Sequence, residues 1–162
     1  MLTESKRNLF DQIRPAGLDN QLGEALQEQM GLLVGKYSFA VQGGAVGSIN
    51  LLKDLGSANS YLTLPSGAII KQVWIDIITA MASSGGTGTI ALTANSSGDL
   101  KAAVDADTLS GIVAGIPVGT AAAMVKLTAE RTIKLEVATE ALTAGKIDVY
   151  IEWAMSHTRD AS

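Results

Sequence analysis

The strictest constraint on this chain is the alternation in its last third. Ile133, Leu135 and Val137 alternate with Lys134 and Glu136, and Ile147, Val149, Ile151 and Trp153 alternate with Asp148, Tyr150 and Glu152. A period of two sends successive side chains to opposite faces of an extended strand, whereas a helix would scatter the same residues around its circumference. Each segment therefore has one dry and one wet face, the pattern of an antiparallel sheet packed on one side.

The same reading extends backwards. Tyr37, Phe39 and Val41 alternate with Ser38, Ala40 and Gln42 up to Gly43-Gly44, which predicts a first strand from Tyr37. Further β-prone runs at 48–52, 61–64, 69–79, 87–93 and 111–116 are separated by Gly, Ser, Asn and Pro clusters. Ala129-Glu130 and Ala144-Gly145 read as turns. Leu-Thr-Ala recurs at 92–94, 127–129 and 142–144, but without a fixed period, so it is a reused strand end and not a repeat. The expected fold class is all-β, an antiparallel β-sandwich or jelly-roll-like domain of about eight strands over residues 36–154, with a flexible tail at 155–162. One strand breaks the alternation. Val73-Trp74-Ile75-Asp76-Ile77-Ile78 is apolar on both faces, so Trp74, Asp76 and Ile78 are expected at a covered surface, either under the N-terminal arm or between subunits.

Residues 1–35 have a different texture. Leu9, Phe10 and Ile13 share a helical face, Arg14 ends the run and Pro15 stops it. Asp19 or Asn20 then caps a second expected helix with the stripe Leu18, Leu22, Leu26, Met30 and Leu33, stopped by Gly35. Gly23 and Gly31 each weaken it by about 1 kcal/mol relative to Ala. Helices this short are marginal alone in water, so the arm needs a surface to lie against.

Composition removes several functions. The chain is 47% apolar and 17% charged, which suits a packed core. A net charge of −4, with no basic cluster longer than Lys6-Arg7, argues against a nucleic-acid partner. No stretch approaches the roughly 18 apolar residues of a membrane helix and charges come early, so a soluble chain without a signal peptide or membrane partner is expected. With no cysteine, the fold rests on burial, β-pairing or oligomerisation.

The search for chemistry yields no catalytic, cofactor or metal residue. His157, the single histidine, lies in a polar tail without the rigid companions of a triad or metal site. Asp105-Ala106-Asp107, with Asp99 nearby, has the opening spacing of a calcium loop but lacks its glycine and closing glutamate, and reads as a solvated turn. Glu136, Asp148 and Glu152 could form a glycosidase pair if their strands adjoin, but with two Trp, three Tyr and two Phe the chain is poor in rings for stacking sugars. Gly43-Gly44-Ala45-Val46-Gly47-Ser48 lacks the Gly-Lys ending of a phosphate loop. Asn95-Ser96-Ser97 is a chance-level glycosylation triplet.

From Tyr61 to Trp153 the order of features is similar to that of small β-sandwich virion proteins of tailed bacteriophages, of the capsid decoration and head-auxiliary type. The features are Leu64-Pro65-Ser66-Gly67-Ala68-Ile69-Ile70, a long strand reaching Asp76-Ile77, Gly-Thr-Ile-Ala-Leu at 88–92, Lys126-Leu127-Thr128-Ala129-Glu130-Arg131-Thr132-Ile133, and Leu142-Thr143-Ala144-Gly145-Lys146. The resemblance covers about 90 residues, carries no chemical signature and leaves out the arm. It implies a homotrimer on the capsid exterior that binds the major capsid protein and strengthens the shell, with no enzymatic activity and no cofactor. On that expectation Leu9, Phe10, Ile13, Leu18, Leu22, Leu26 and Met30 face the capsid or a sister subunit. The alternatives are a head-fibre base, neck or tail protein, and a lectin-like module with exposed aromatics around Trp74 or Tyr61.

Overall fold

The computed structural model describes residues 30–156. The two helices expected before residue 30 and His157 in the tail lie outside the described residues, as do Leu9, Phe10, Ile13, Leu18, Leu22 and Leu26. The described residues form an all-β fold of antiparallel sheets. In chain order the strands are β1 (Met30–Ser38), β2 (Gly47–Asn50), β3 (Thr63–Leu64), β4 (Ala68–Ser83), β5 (Thr89–Thr93), β6 (Lys101–Asp105), β7 (Ile112–Val118), β8 (Val125–Lys126), β9 (Arg131–Thr132), β10 (Lys134–Ala138) and β11 (Leu142–Met155). The larger sheet has the order β1-β11-β4-β7, with β8 also paired to β4. The smaller has the order β2-β10-β5-β6, and β3 pairs with β9.

The dry faces predicted from alternation are the core. Ile147, Val149, Ile151 and Trp153 of β11 and Leu135 and Val137 of β10 are buried, together with Ile70, Val73 and Ile75 of β4 and Ile90 and Leu92 of β5. Leu51, Leu62, Leu100, Leu127 and Ile133 close the core from the connections. Each such side chain contributes roughly 1.5–3 kcal/mol when removed from water, so these two facing layers dominate the stability.

Three local expectations are corrected. The first strand starts at Met30, not Tyr37, so Met30 and Leu33 are in a strand and not in the expected helix, and the boundary at 35/36 falls inside that strand. The reason is a close approach at Gly35: a Cβ there would stand 2.6 Å from Leu62 Cδ2 and 2.9 Å from Leu51 Cδ1. Only glycine lets β1 lie flush on the core, with Leu33 and wholly buried Tyr37 pointing inwards and Leu32 outwards.

The run that follows is not a strand. Phe39–Gln42 makes a single helical turn, closed by the Gly43 N–H donating to Phe39 O at 2.9 Å with Gly43 at φ +70°. Gln42 fixes it by accepting the Ser38 N–H (3.2 Å) and donating to Asn50 O (2.7 Å). Those local bonds outweigh the alternation of Phe39 and Val41.

Ala144-Gly145 is likewise not a turn. It belongs to β11, whose register against β4 shifts between Leu142, Ala144, Lys146 and Ile147. Gly145, at φ +135°, takes the extra bend against Met81.

β4 carries an irregularity just before its doubly apolar run. Its buried positions run Ala68, Ile70, then Val73 and Ile75, a switch of parity at Lys71-Gln72. Registers to β7 and β11 slip at the same level, between Gln72 and Trp74 and between Glu152 and Trp153. A bulge therefore swaps the inward phase mid-strand. Beyond it Trp74, Asp76 and Ile78 face away from the core.

Candidate functional site

The outer face of the larger sheet gathers the chain's most unusual surface. Beyond the bulge, β7, β4 and β11 align in rows read directly from their registers. Ile112, Asp76 and Asp148 form one row, Ala114, Trp74 and Tyr150 the next, and Val118, Gln72 and Glu152 a third. On β4 and β11 they alternate with buried residues and on β7 with half-buried or buried ones, so they share the face opposite the core.

The face is apolar at its centre and rim. Trp74 and Tyr150 stack with centroids 5.4 Å apart and planes 3° from parallel. Ile112 is 75% exposed, and Ile78, Ile116 and Val118 are also exposed. Within this surface Asp76 and Asp148 are directly opposite across the antiparallel pair, where like charges destabilise. Asp148 Oδ1 is buried without a hydrogen-bond partner among the described residues. At the far row Glu152 is engaged by Lys71 Nζ at 2.6 Å.

The other acids hold loops. Glu140 reaches across to the loop after β4, accepting the Gly85 N–H at 2.6 Å and the Thr87 hydroxyl at 3.0 Å. Asp107 accepts the Ser83 hydroxyl at 2.6 Å and the Ser83 N–H at 3.0 Å. Both carboxyls are held below their ordinary values, Glu140 chiefly by the Gly85 N–H and Asp107 chiefly by the Ser83 hydroxyl. Asp105 accepts the Asp107 N–H at the start of a 3-10 turn, Ala106–Thr108. Asp99 accepts three N–H groups, from Ala94, Asn95 and Ser96. These are the tasks of turn-forming side chains, the solvated-turn role read from the sequence for Asp99, Asp105 and Asp107 but not for Glu140.

The glycosidase candidates are not brought together. Glu136 lies on β10 of the smaller sheet, where it accepts the Ser48 hydroxyl, while Asp148 and Glu152 lie on β11 of the larger one. Asp148 and Glu152 are four residues apart on one strand, a spacing of roughly 13 Å. Among the described residues no group of three or more His, Cys, Asp or Glu is arranged to hold a metal, and no helix is long and apolar enough to cross a membrane. Of the stretch Gly43 to Ser48, Gly43 to Val46 connects the one-turn helix to β2, and Gly47 and Ser48 begin β2.

A hollow of about 240 Å³ lies where Val41, Gln42, Asn50 and Tyr61 meet. Both ends of the Gln42 amide are already committed to backbone partners there. Of the two aromatics expected to be exposed, Tyr61 stands alone at this hollow, and Trp74 has one ring face taken by Tyr150.

Sequence reasoning singled out Trp74, Asp76 and Ile78, and the structure places all three on the outer face. It missed Ile112, Ile116 and Val118 on β7, and it noted Asp148 without its pairing to Asp76. The sequence of β7, Ile112–Val118, has no polar residue in either phase, so no alternation marked which of its side chains face outwards.

No protein-family model matches this chain, and no curated protein sequence matches it. Its fold is nevertheless similar to chains in solved phage capsids. A chain in the acidic stable capsid of Helicobacter pylori bacteriophage KHP30 matches with a TM-score of 0.54 at 13% identity, over 78% of this chain and 88% of that one. A chain in the capsid asymmetric unit of cyanophage Pam1 gives 0.53 at 18% identity, over 78% and 85%. A chain in the capsid of Ralstonia phage GP4 gives 0.51 at 17% identity, over 79% and 86%. The β-sandwich described above is thus a fold this chain shares with chains of three phage capsids.

Proposed function

We propose that this chain is a structural protein of a tailed-phage virion, a decoration or cement protein that binds the outside of the shell built by the major capsid protein and stabilises it as a homotrimer. The observation that carries the reading is the shared fold, which spans more than three quarters of this chain and of each of the three capsid chains. Two further features support it. Asp99, Asp107 and Glu140 are engaged in holding loops, and the outer sheet face offers apolar area for a partner.

In this role the work is mechanical. Burying apolar area against the shell supplies roughly 25 cal/mol per Å² before association costs, and linked subunits bind with a high effective concentration. The arm residues Leu9, Phe10, Ile13, Leu18, Leu22 and Leu26, with Met30 at the start of β1, are proposed to join that burial against the shell.

The test is to add purified chain to shells of its phage assembled without it. Saturable co-sedimentation and a higher shell rupture temperature are expected. Shells that neither retain the chain nor gain stability overturn the reading. Binding only to isolated neck or tail assemblies would move the protein elsewhere on the virion.

A further inference from the structure

We infer that the outer face of the larger sheet docks a protein surface that presents a lysine or arginine framed by apolar side chains, and that Asp76 and Asp148 receive this cation. The inference rests on the proposed shell-binding role and names the chemistry of the shell surface that it meets.

Charge decides the occupant. Two carboxylates sit opposite each other in the register, and one oxygen of Asp148 is buried with no donor among the described residues. Such an arrangement costs stability in the free protein, through like-charge repulsion and an unfilled acceptor. A cation inserted between them fills the acceptor and cancels the repulsion in a surface already partly screened from water, where a charged hydrogen bond is strongest. Around the pair the stacked Trp74 and Tyr150, with Ile78 and Ile112, supply the apolar frame typical of an interface centre.

The same charges argue against a second copy meeting this face with its own. Two such faces would bring four carboxylates together, and the chain as a whole carries −4. The contact between copies expected at Trp74, Asp76 and Ile78 is therefore reassigned to the shell.

The experiment uses the full chain and decoration-free shells of its phage, with affinity measured across salt concentrations. Asp76→Asn/Asp148→Asn is expected to weaken binding at least about tenfold and to flatten the salt dependence. Its free form should melt at the same or a higher temperature than the parent, because the repulsion is gone, which separates lost binding from lost folding. Ile112→Ser, at a position too exposed to disturb folding, is expected to weaken binding at least about fivefold without changing the salt dependence.

If the parent binds shells and the double variant binds equally well with the same salt dependence, the docking assignment is overturned and shell binding stands. If the parent does not bind shells at all, the functional reading fails, and this inference with it. Light scattering on the free proteins supplies the remaining arm. An oligomer present in the parent and lost in the double variant would mean that a second copy occupies the face, which also overturns the assignment.

Discussion

Trp74 on β4 and Tyr150 on β11 are direct cross-strand partners whose rings lie 3° from parallel at a centroid distance of 5.4 Å. They bridge the two central strands of the larger sheet on the side away from the core, so their contact adds to pairing energy without adding core volume. Aromatic pairs of this kind contribute about 0.5–1.5 kcal/mol beyond area burial. A double-mutant cycle with Trp74→Ala and Tyr150→Ala, read by circular dichroism in denaturant, should return a coupling in that range. A coupling near zero would mean that each ring contributes independently.

Glu140 and Asp107 make low pH a selective probe of the loop after β4. Their carboxyls are held below the ordinary values of 4.5 and 3.8 by donors from Gly85, Thr87 and Ser83. A depressed folded-state value means that stabilisation is full above the unfolded value and is lost as pH falls through the folded one. The melting temperature should therefore decline below about pH 4. Glu140→Gln/Asp107→Asn should be less stable than the parent at pH 7 and should show a shallower decline in acid. Parallel melting curves down to pH 2 would contradict the clamp.

Gly115 is the point where β7 passes closest to its neighbours. A Cβ there would stand 2.6 Å from Leu100 O and 2.8 Å from Val73 Cβ, neither of which is a flexible chain end. The adjacent Ile116 N–H donates to the same Leu100 oxygen at 2.8 Å, so pushing the strands apart also stretches that bond. Gly115→Ala should cost about 1–3 kcal/mol by denaturant titration. Gly56→Ala, whose nearest neighbour would be Asp54 at 3.5 Å, is the control and should stay within about 0.5 kcal/mol.

Much of this fold was legible where one physical signal acted alone. In β10 and the second half of β11, alternation was unopposed, and Leu135, Val137, Ile147, Val149, Ile151 and Trp153 are buried as it implied. Where a distant partner decided the outcome, local pattern failed. Gly35 looked like a helix stop because nothing nearby reveals that Leu51 and Leu62 press on it. Gly145 looked like a turn because a bulge and a turn both call for a glycine with positive φ. β6 escaped notice because its Lys101-Ala102-Ala103-Val104-Asp105 has almost no apolar alternation. At the candidate site, the doubly apolar β4 was visible, but the meeting of Asp76 with Asp148 depends on β11 lying beside β4 and on the bulge that sets their phase. Strand order is settled by packing of the whole sandwich, so that pairing could not be read along the chain.

Thr139 offers a gain in stability. It links β10 to β11 at φ +68°, a left-handed conformation in which a β-branched side chain crowds its own backbone, at a cost of roughly 1–2 kcal/mol. Its hydroxyl recovers little, since its neighbour Thr89 Oγ1 is 3.5 Å away at an exposed site. Asparagine tolerates this region far better than threonine and keeps a polar side chain at the same exposed turn. Thr139→Asn should therefore raise stability by about 0.5–1 kcal/mol, with an unchanged denaturant m-value because no buried surface is altered. Since Glu140 follows immediately, a turn relaxed at Thr139 should also leave the acid sensitivity of the loop after β4 as it was. A variant that is less stable than the parent, or one whose acid transition moves, would mean that Thr139 holds Glu140 in position and that its strained backbone serves the clamp.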